Sequence, residues 1–269
     1  MIRILVPTDF SENSKLALKH AIKIVNQLGG TVSVLHAYQT TTITGSFETI
    51  DQVEKNERED ELSKLIKEMK PLLADTVQIE GFVKKGPSID TICQTAKKLD
   101  VNMIVMGTTG ADGMKKFFLG STASNVILET SKPVLAIPIE FQNFKISNIT
   151  LALDNKTIEH VHTLKPIIDL VTKFDAVLKL LTVIDEENPE FKADTSVQDL
   201  LQKNGIKSTS HKVSSNDVVK GITEFAEREN SDLICLIHHT RGLFQSIFHS
   251  SVSEKIAFES KVPLLILND

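Results

Sequence analysis

The sequence is poor in the residues that mark secreted or nucleic-acid-binding proteins. Its 269 residues include no tryptophan, one tyrosine and two cysteines, Cys93 and Cys235. Two thiols in a chain of this length are typical of buried cysteines in a reducing compartment and exclude a disulfide scaffold. The scarcity of tryptophan and tyrosine argues against a surface on which single-stranded bases stack. We therefore expect a cytoplasmic protein that binds no nucleic acid.

A strong charge of one sign and long apolar runs are also missing. The formal net charge is −5, which does not indicate a nucleic-acid or anionic-membrane partner. No stretch reaches the ~18 consecutive apolar residues of a membrane-spanning helix, and the N-terminal apolar run is too short for a signal peptide. Hydrophobic residues nevertheless make up 41% of the chain. This composition and length predict two globular domains with sizeable cores and no membrane association.

The second half of the sequence repeats the pattern of the first. A short apolar run and then an aspartate open each half, with Asp9 in the first and Asp154 in the second. Each half also ends on a similar segment, in which Pro133 and Pro263 occupy matching positions. A repeat of this length predicts two copies of one domain in tandem.

Each half alternates short apolar strands with amphipathic helices. In the first half we expect strands near Ile2–Pro7, Thr31–Ala37, Val77–Val83, Met103–Gly107 and Pro133–Ile137, and helices near Ser11–Leu28, Val53–Leu73, Ser88–Leu99 and Thr122–Thr130. In the second half we expect strands near Ile149–Leu153, Val177–Val183, Lys207–Val213, Leu233–Ile237 and Pro263–Leu267. This alternation is typical of a parallel, doubly wound sheet. The sequence thus predicts two α/β domains, each with a five-stranded parallel sheet, at residues 1–141 and 146–269, joined by the linker Glu140–Ser147.

The first strand ends without the glycines of the common phosphate-binding motifs. The segment Pro7–Ser11 lacks the GxGxxG fingerprint of dinucleotide-binding proteins, and the P-loop pattern GxxxxGK[ST] occurs nowhere. Ligands of open α/β sheets bind beyond the carboxyl ends of the strands. Asp9 follows the first strand, and its side chain is predicted either to contact a ligand there or to cap the next helix.

Glycines and hydroxyl residues cluster after the fourth strand of the first half. The glycines are Gly107, Gly110, Gly113 and Gly120, and Ser121 and Thr122 then open a helix. Glycines let the backbone approach a ligand closely, and free N–H groups at the start of a helix bind anions such as phosphate. The spacing alone fits a phosphate site and an ordinary surface loop with a serine cap equally well.

These segments together resemble the universal stress protein family. Residues 107–121 match its signature G-x2-G-x9-G-[S/T], and Val-Pro-Thr-Asp at 6–9 and Val-Leu-His-Ala at 34–37 are also similar to that family. The likeness extends over both halves, so the chain resembles a tandem member. It implies a Rossmann-like fold in each half, similar to the adenine nucleotide alpha hydrolases. It also implies binding of ATP or AMP, with Mg²⁺ as the companion ion of ATP.

The resemblance implies that ten residues of the first half contact the nucleotide. Those expected beside the adenine and ribose are Pro7, Thr8, Asp9 and Ala37. Those expected along the ribose and phosphates are Met106, Gly107, Gly110, Gly120, Ser121 and Thr122. Ala123 departs from the family pattern, in which a further serine or threonine is common, and would remove one hydroxyl contact.

The second half lacks most of this pattern. Ile237 stands where the first half has Gly107, and Thr240 and Ser250 replace two further glycines. A β-branched residue at the first position would obstruct the close approach of the backbone to a ligand. We therefore expect no nucleotide site in the second half, which would serve as a structural partner.

Metal binding and catalysis have little support. The histidines His238, His239 and His249 lack the spacing of a metal site, because adjacent residues at a strand end point to opposite faces. No nucleophile-elbow or paired-carboxylate motif is present. The sequence predicts no metal site and no efficient enzyme, while slow ATP hydrolysis stays open.

Three classes of function are consistent with these observations. We expect a stress or signalling module that responds to adenine nucleotides. The first alternative is an interaction or scaffold protein with a vestigial glycine loop. The second, a nucleotide-dependent enzyme related to the ATP pyrophosphatases, is ranked low because the SGGxDS loop is missing after the first strand. The resemblance also implies that the fifth strands of the two halves pair antiparallel within the chain, and further homo-oligomerisation is left open.

Overall fold

Strands and helices alternate along both halves of the chain. The computed structural model describes residues 1–39, 47–108, 121–154, 158, 161–184, 195–238 and 262–268. The first half contains β1 (Ile2–Pro7), α1 (Glu12–Leu28), β2 (Gly30–Tyr38), α2 (Phe47–Met69), β3 (Gln78–Lys85), α3 (Ser88–Lys98), β4 (Met103–Gly107), α4 (Ser121–Glu129) and β5 (Val134–Ile137). The second half contains β6 (Asn148–Leu153), α5 (Val161–Phe174), β7 (Val177–Ile184), α6 (Ser196–Lys203), β8 (Ser208–Ser214), α7 (Val218–Arg228), β9 (Leu233–His238) and β10 (Leu264–Asn268).

The described strands form one sheet in the order β3-β2-β1-β4-β5-β10-β9-β6-β7-β8. Neighbouring strands within each half are parallel, which confirms the predicted α/β fold class. At the centre β5 and β10 run antiparallel, with Leu135 opposite Leu265. The strands of the two halves therefore run in opposite directions, and their carboxyl ends lie at opposite edges of the sheet. The sheet has one candidate ligand edge in each half.

Apolar side chains cover both faces of the sheet. In β1, Ile4 and Val6 belong to a core cluster that includes residues of α1, α2 and α5. Leu5, between them, belongs to a second cluster that includes residues of α3, α4 and α7. All three side chains are fully buried. Burial on both faces explains why these strands read as continuous apolar runs rather than as alternating patterns.

Helix α2 begins earlier and ends earlier than the predicted Val53–Leu73. It spans Phe47–Met69, and a short 3-10 turn, Lys70–Leu72, follows it. No side chain of α2 is buried between residues 51 and 61, and buried leucines begin at Leu62, so hydrophobic periodicity gave little indication of the start of this helix. The end coincides with Pro71, which has no N–H to continue the helical hydrogen bonds. Within the described residues, no helix combines the length and the apolar character that crossing a membrane requires.

Candidate functional site

The order of the strands changes direction beside β1. Strands β2 and β3 lie on one side of β1, and β4 and β5 lie on the other. Doubly wound sheets bind ligands in the crevice that forms where the strand order changes, at the carboxyl ends of the strands. The Asp9 turn (residues 7–11) follows β1, and the glycine loop (residues 107–122) follows β4. The Asp9 turn and Gly107 thus lie at the carboxyl ends of the two strands between which the order changes.

Local hydrogen bonds hold the Asp9 turn in one conformation. The carboxylate of Asp9 accepts hydrogen bonds from the backbone N–H and the hydroxyl of Ser11, at 3.0 and 2.5 Å. The backbone N–H of Phe10 donates to the Thr8 hydroxyl at 3.0 Å. Phe10 itself has a φ of 64°, in the left-handed region that few non-glycine residues adopt. These bonds hold that strained backbone and fix the position of Asp9 at the end of β1.

Ser11, rather than Asp9, caps helix α1. The Ser11 hydroxyl accepts the backbone N–H of Ser14 at 3.3 Å, as an N-cap side chain does. The alternative prediction, that Asp9 caps this helix, is therefore wrong. Asp9 is exposed, and its bond to the N–H two residues later is that of an Asx turn. An exposed carboxylate offers about four acceptor positions, so it can accept further hydrogen bonds from a ligand.

The surroundings of Asp9 favour its ionised form. Partial burial raises the pKa of this carboxyl, but hydrogen bonds from Ser11 and Ser14 outweigh burial and hold the pKa below its usual value of 3.8. At neutral pH the group is an anion that only accepts hydrogen bonds. Such a group attracts hydroxyl and amino donors and repels phosphate. Asp9 therefore suits the nucleoside end of a nucleotide.

A histidine joins the ends of β1 and β2. The Nδ1 atom of His36 lies 2.8 Å from the carbonyl oxygen of Thr8, so Nδ1 carries the hydrogen. The ring of Phe10 packs on the imidazole of His36, with 4.5 Å between the ring centroids. Ala37 is half-buried and points to the opposite face of the strand from His36. Asp9 thus follows β1, and Ala37 lies near the end of the neighbouring parallel strand β2, at the same edge of the sheet.

The glycine loop leaves the sheet at the end of β4. Met106 is buried, and Gly107 lies opposite Ile137 of β5. The N–H of Thr108 still donates to the carbonyl of Ile137, at 3.1 Å. Gly110 and Gly120 lie outside the described residues, so their predicted contacts remain predictions.

Helix α4 presents its first turn at the same edge as Asp9. It connects the parallel strands β4 and β5, so it runs against them and begins at their carboxyl ends. Ser121 and Thr122 are exposed there, and the first turn contains no acidic residue. Ala123 is only 2% exposed and packs in the core, so this position offers no side chain to a ligand. The helix start combines hydroxyls, backbone N–H groups and a positive dipole end, which suit an anion.

The corresponding positions of the second half differ in burial. Asp154, the counterpart of Asp9, is buried at 7% exposure. Ile237, the counterpart of Gly107, is 3% exposed and packs in the apolar core. Thr240, Ser250 and the histidines at 239 and 249 lie outside the described residues. The described part of this edge therefore contrasts with the exposed polar residues of the first half.

Neither cysteine is activated as a nucleophile. Burial, together with nearby Glu129 and Asp90, raises the pKa of Cys93 to about 11. Burial also raises the pKa of Cys235, which is fully enclosed in the core. Both groups are therefore neutral thiols at physiological pH. In the part of the chain that the structure describes, no group of three histidine, cysteine or acidic side chains could hold a metal ion.

Comparison with known proteins identifies the family. Two stretches of the chain, residues 1–138 and 145–268, each match the sequence profile of the universal stress protein family. The chain belongs to the universal stress protein family. The predicted resemblance to a tandem universal stress protein is thereby confirmed.

Individual universal stress proteins match one half of the chain each time. Universal stress protein MJ0531 of Methanocaldococcus jannaschii is 33% identical over 142 residues, which are 50% of this chain and 81% of that protein. Universal stress protein YxiE of Bacillus subtilis is 30% identical over 145 residues, 50% of this chain and 97% of that protein. A crystal structure of a universal stress protein from Archaeoglobus fulgidus DSM 4304 has a TM-score of 0.77 and 20% identity, covering 99% of this chain and 98% of that one. This last likeness shows the fold along both halves.

Sequence reasoning missed a polar layer beneath the site of this universal stress protein. The hydroxyls of Ser14 and Thr8 lie 3.0 Å apart, and the Ser14 hydroxyl also donates to the carbonyl of Ser11. Asn13 is buried beside them. A signal was available, because Asn13 falls one turn before Ala17 on the buried stripe of α1. A polar residue on an apolar stripe indicates a specific contact, since its burial is otherwise unfavourable.

Proposed function

We propose that the first half of the chain binds an adenine nucleotide, ATP or AMP, and that the protein acts as a nucleotide-responsive stress or signalling module. The proposal rests mainly on one arrangement. Asp9, Gly107 and the start of α4 follow β1 and β4 at the point where the strand order changes direction. This is the place where doubly wound sheets bind their ligands.

The two sides of the crevice differ in chemistry, as the two ends of a nucleotide do. On one side, the ionised carboxylate of Asp9 accepts hydrogen bonds and suits ribose hydroxyls or an amino group. On the other side, the first turn of α4 offers Ser121, Thr122 and backbone donors without an acidic residue, which suits phosphate. Where ATP is the ligand, Mg²⁺ would accompany it on the phosphate oxygens. The signature that the glycine loop shares with the family supports the same assignment.

The second half has a supporting role in this proposal. Its isoleucine at the first glycine position and its buried Asp154 do not favour a nucleotide site. We place the two units at residues 1–141 and 146–269, with the second unit as the structural partner of the first. The antiparallel contact of β5 with β10 supports that role, because it covers an edge that each half would otherwise expose.

Titration calorimetry of the full chain tests the proposal. ATP and AMP should bind, and GTP should bind more weakly, because its base differs at the edge that faces Asp9 and Ala37. The variant Ser121→Ala/Thr122→Ala should weaken the binding of ATP and AMP. Ser131→Ala is the matched control, because Ser131 is exposed just beyond the other end of α4. A parent chain that binds neither nucleotide would contradict the proposal and favour the interaction or scaffold protein.

Hydrolysis is a separate question, and a phosphate-release assay answers it. The described residues contain no activated thiol and no group of candidate metal ligands near the site. We expect the parent chain to release phosphate from ATP no faster than Ser121→Ala/Thr122→Ala does. A parent rate clearly above that of the variant would instead indicate an ATPase.

A further inference from the structure

A buried asparagine lies against the last residue of β4. Asn13 is the second residue of α1 and is only 2% exposed. An ideal Cβ built on Gly107 would lie 2.6 Å from the Nδ2 atom of Asn13 and 2.7 Å from its Cγ atom. Real Cβ atoms essentially never approach other atoms within 3.0 Å. The carboxamide of Asn13 therefore fills the space that any side chain at position 107 would need.

Backbone conformation does not explain the glycine at this position. The φ of Gly107 lies outside the left-handed region, and the residue continues the regular pairing of β4 with β5. Any residue adopts such an extended backbone. The steric contact with Asn13 is therefore the structural reason for a glycine here, and it acts from the α1 side of the sheet.

The contact joins the two segments that flank the crevice. Asn13 follows the Asp9 turn by two residues, and the bonds between Asp9 and Ser11 fix that turn to the start of α1. Gly107 is the first residue of the glycine loop. A shift of α1 relative to β4 would therefore change the separation between Asp9 and Gly107.

Among the described residues of the second half, the equivalent place is apolar. Ile237 occupies the position of Gly107 and is 3% exposed. It belongs to the same apolar cluster as Ile158, which is 4% exposed. The half that lacks the glycine signature thus has apolar packing where the first half has a carboxamide against a glycine.

We propose that Asn13 is a positioning residue of the nucleotide site: its carboxamide, packed on Gly107, sets the spacing between the Asp9 turn and the end of β4. This inference rests on the proposed function. It predicts which ligands respond to a change at Asn13. AMP and ATP extend to the phosphate end of the site and depend most on this spacing, whereas adenosine has no phosphate and depends on it less.

The test is a set of three variants, Asn13→Ala, Gly107→Ala and the double variant, titrated with ATP, AMP and adenosine. Gly107→Ala should lower the affinity for ATP and AMP about tenfold, because the new methyl group displaces the Asn13 carboxamide. The double variant should recover part of that loss, because the methyl group then has room. Asn13→Ala should lower the affinity for ATP and AMP but leave the affinity for adenosine within about twofold of the parent value. Asn26→Ala, at the other end of α1, is the matched control and should change none of the three affinities.

Each outcome separates this inference from the proposed function. If the parent chain binds nucleotides but the double variant binds no better than Gly107→Ala, Gly107 faces the ligand itself and the inference is wrong. If Asn13→Ala lowers the affinity for all three ligands by the same factor, Asn13 has only a structural role and the inference is also wrong. A parent chain that binds no nucleotide overturns both. Urea unfolding without ligand measures the energetic coupling between Asn13 and Gly107. Strictly additive effects of the two substitutions on the free energy of unfolding would contradict the inference.

Discussion

The Nε2 atom of His20 lies 2.8 Å from the carbonyl oxygen of Phe141, and this hydrogen bond joins the middle of α1 to the linker between the halves. His20 is 1% exposed, and its ring packs on the rings of Phe141 and Phe144 at 5.4 and 5.3 Å between centroids. Phe144 in turn packs on Phe174 of α5. A neutral imidazole thus anchors the linker to one helix from each half.

Stability should fall in mild acid because of His20. Burial lowers its pKa to about 4, with Lys23 adding to the effect and the bond to the Phe141 carbonyl opposing it. In the unfolded chain a histidine titrates near 6.5, so the unfolded state binds more protons between these two values. The stabilisation is complete above about pH 6.5 and is lost as the pH falls toward 4, by up to about 3 kcal/mol. Urea unfolding measured across this pH range checks the prediction.

Substitution separates His20 from the other titrating groups. His20→Leu should be less stable at neutral pH, since it loses the bond to Phe141, but its stability should depend less on pH. His162→Gln is the control, because His162 is exposed on α5, and it should keep the slope of the parent. Equal slopes for the parent and His20→Leu would show that another group causes the loss.

Removing the charge of Asp9 should weaken nucleotide binding more than it weakens the fold. Asparagine can keep the Asx turn that holds this segment, so Asp9→Asn preserves the local backbone. The loss of an ionic acceptor should reduce the affinity for ATP and AMP about tenfold. Calorimetry measures the affinity, and Asp75→Asn serves as an exposed control away from the site. Unchanged affinity in Asp9→Asn would place the ribose and adenine elsewhere.

Within the glycine loop, the last signature glycine should matter more than the serine after it. Gly120→Val places a side chain between the backbone donors and the phosphate, so it should abolish measurable binding. Ser121→Ala removes one hydroxyl hydrogen bond to a charged group, worth ~1.5–3 kcal/mol, and leaves the backbone donors. Gly113→Val is the matched control, because Gly113 belongs to the same loop but not to the signature. Calorimetry measures the affinity of the three variants for ATP. Normal ATP binding by folded Gly120→Val would contradict the proposed site.

The chain should bind one nucleotide rather than two. Ile237 fills the position of the first signature glycine in the second half and is buried, so a backbone there cannot approach a ligand closely. Titration of the parent with ATP should saturate near one equivalent per chain, and Gly120→Val should remove all saturable binding. A second equivalent that survives in Gly120→Val would assign a nucleotide site to the second half.

The sequence by itself determined the repeat, the fold class and most element bounds. β1 and β4 occupy the predicted residues, because a strand buried on both faces must be a short apolar run. The order of Asp9, the glycines and Ser121 along the chain also follows from the sequence and led to the family. Local patterns failed where no side chain is buried, as over residues 51–61 of α2.

The tertiary structure decided which distant residues meet. The sequence shows Asn13 as a polar residue on an apolar stripe and Gly107 as a glycine at a strand end, with no link between them. Only the packing of α1 on β4 brings these two residues into contact. His20 is a second example, because its neutral state depends on burial under the linker, and Phe141 of that linker lies 121 residues later in the chain. Ser11 became the helix cap because the bonds of the turn placed the Ser11 hydroxyl, rather than the Asp9 carboxylate, at the helix start. The physical reason is that hydrophobic patterns record whether a residue is buried, whereas contacts between distant segments depend on strand order and helix packing.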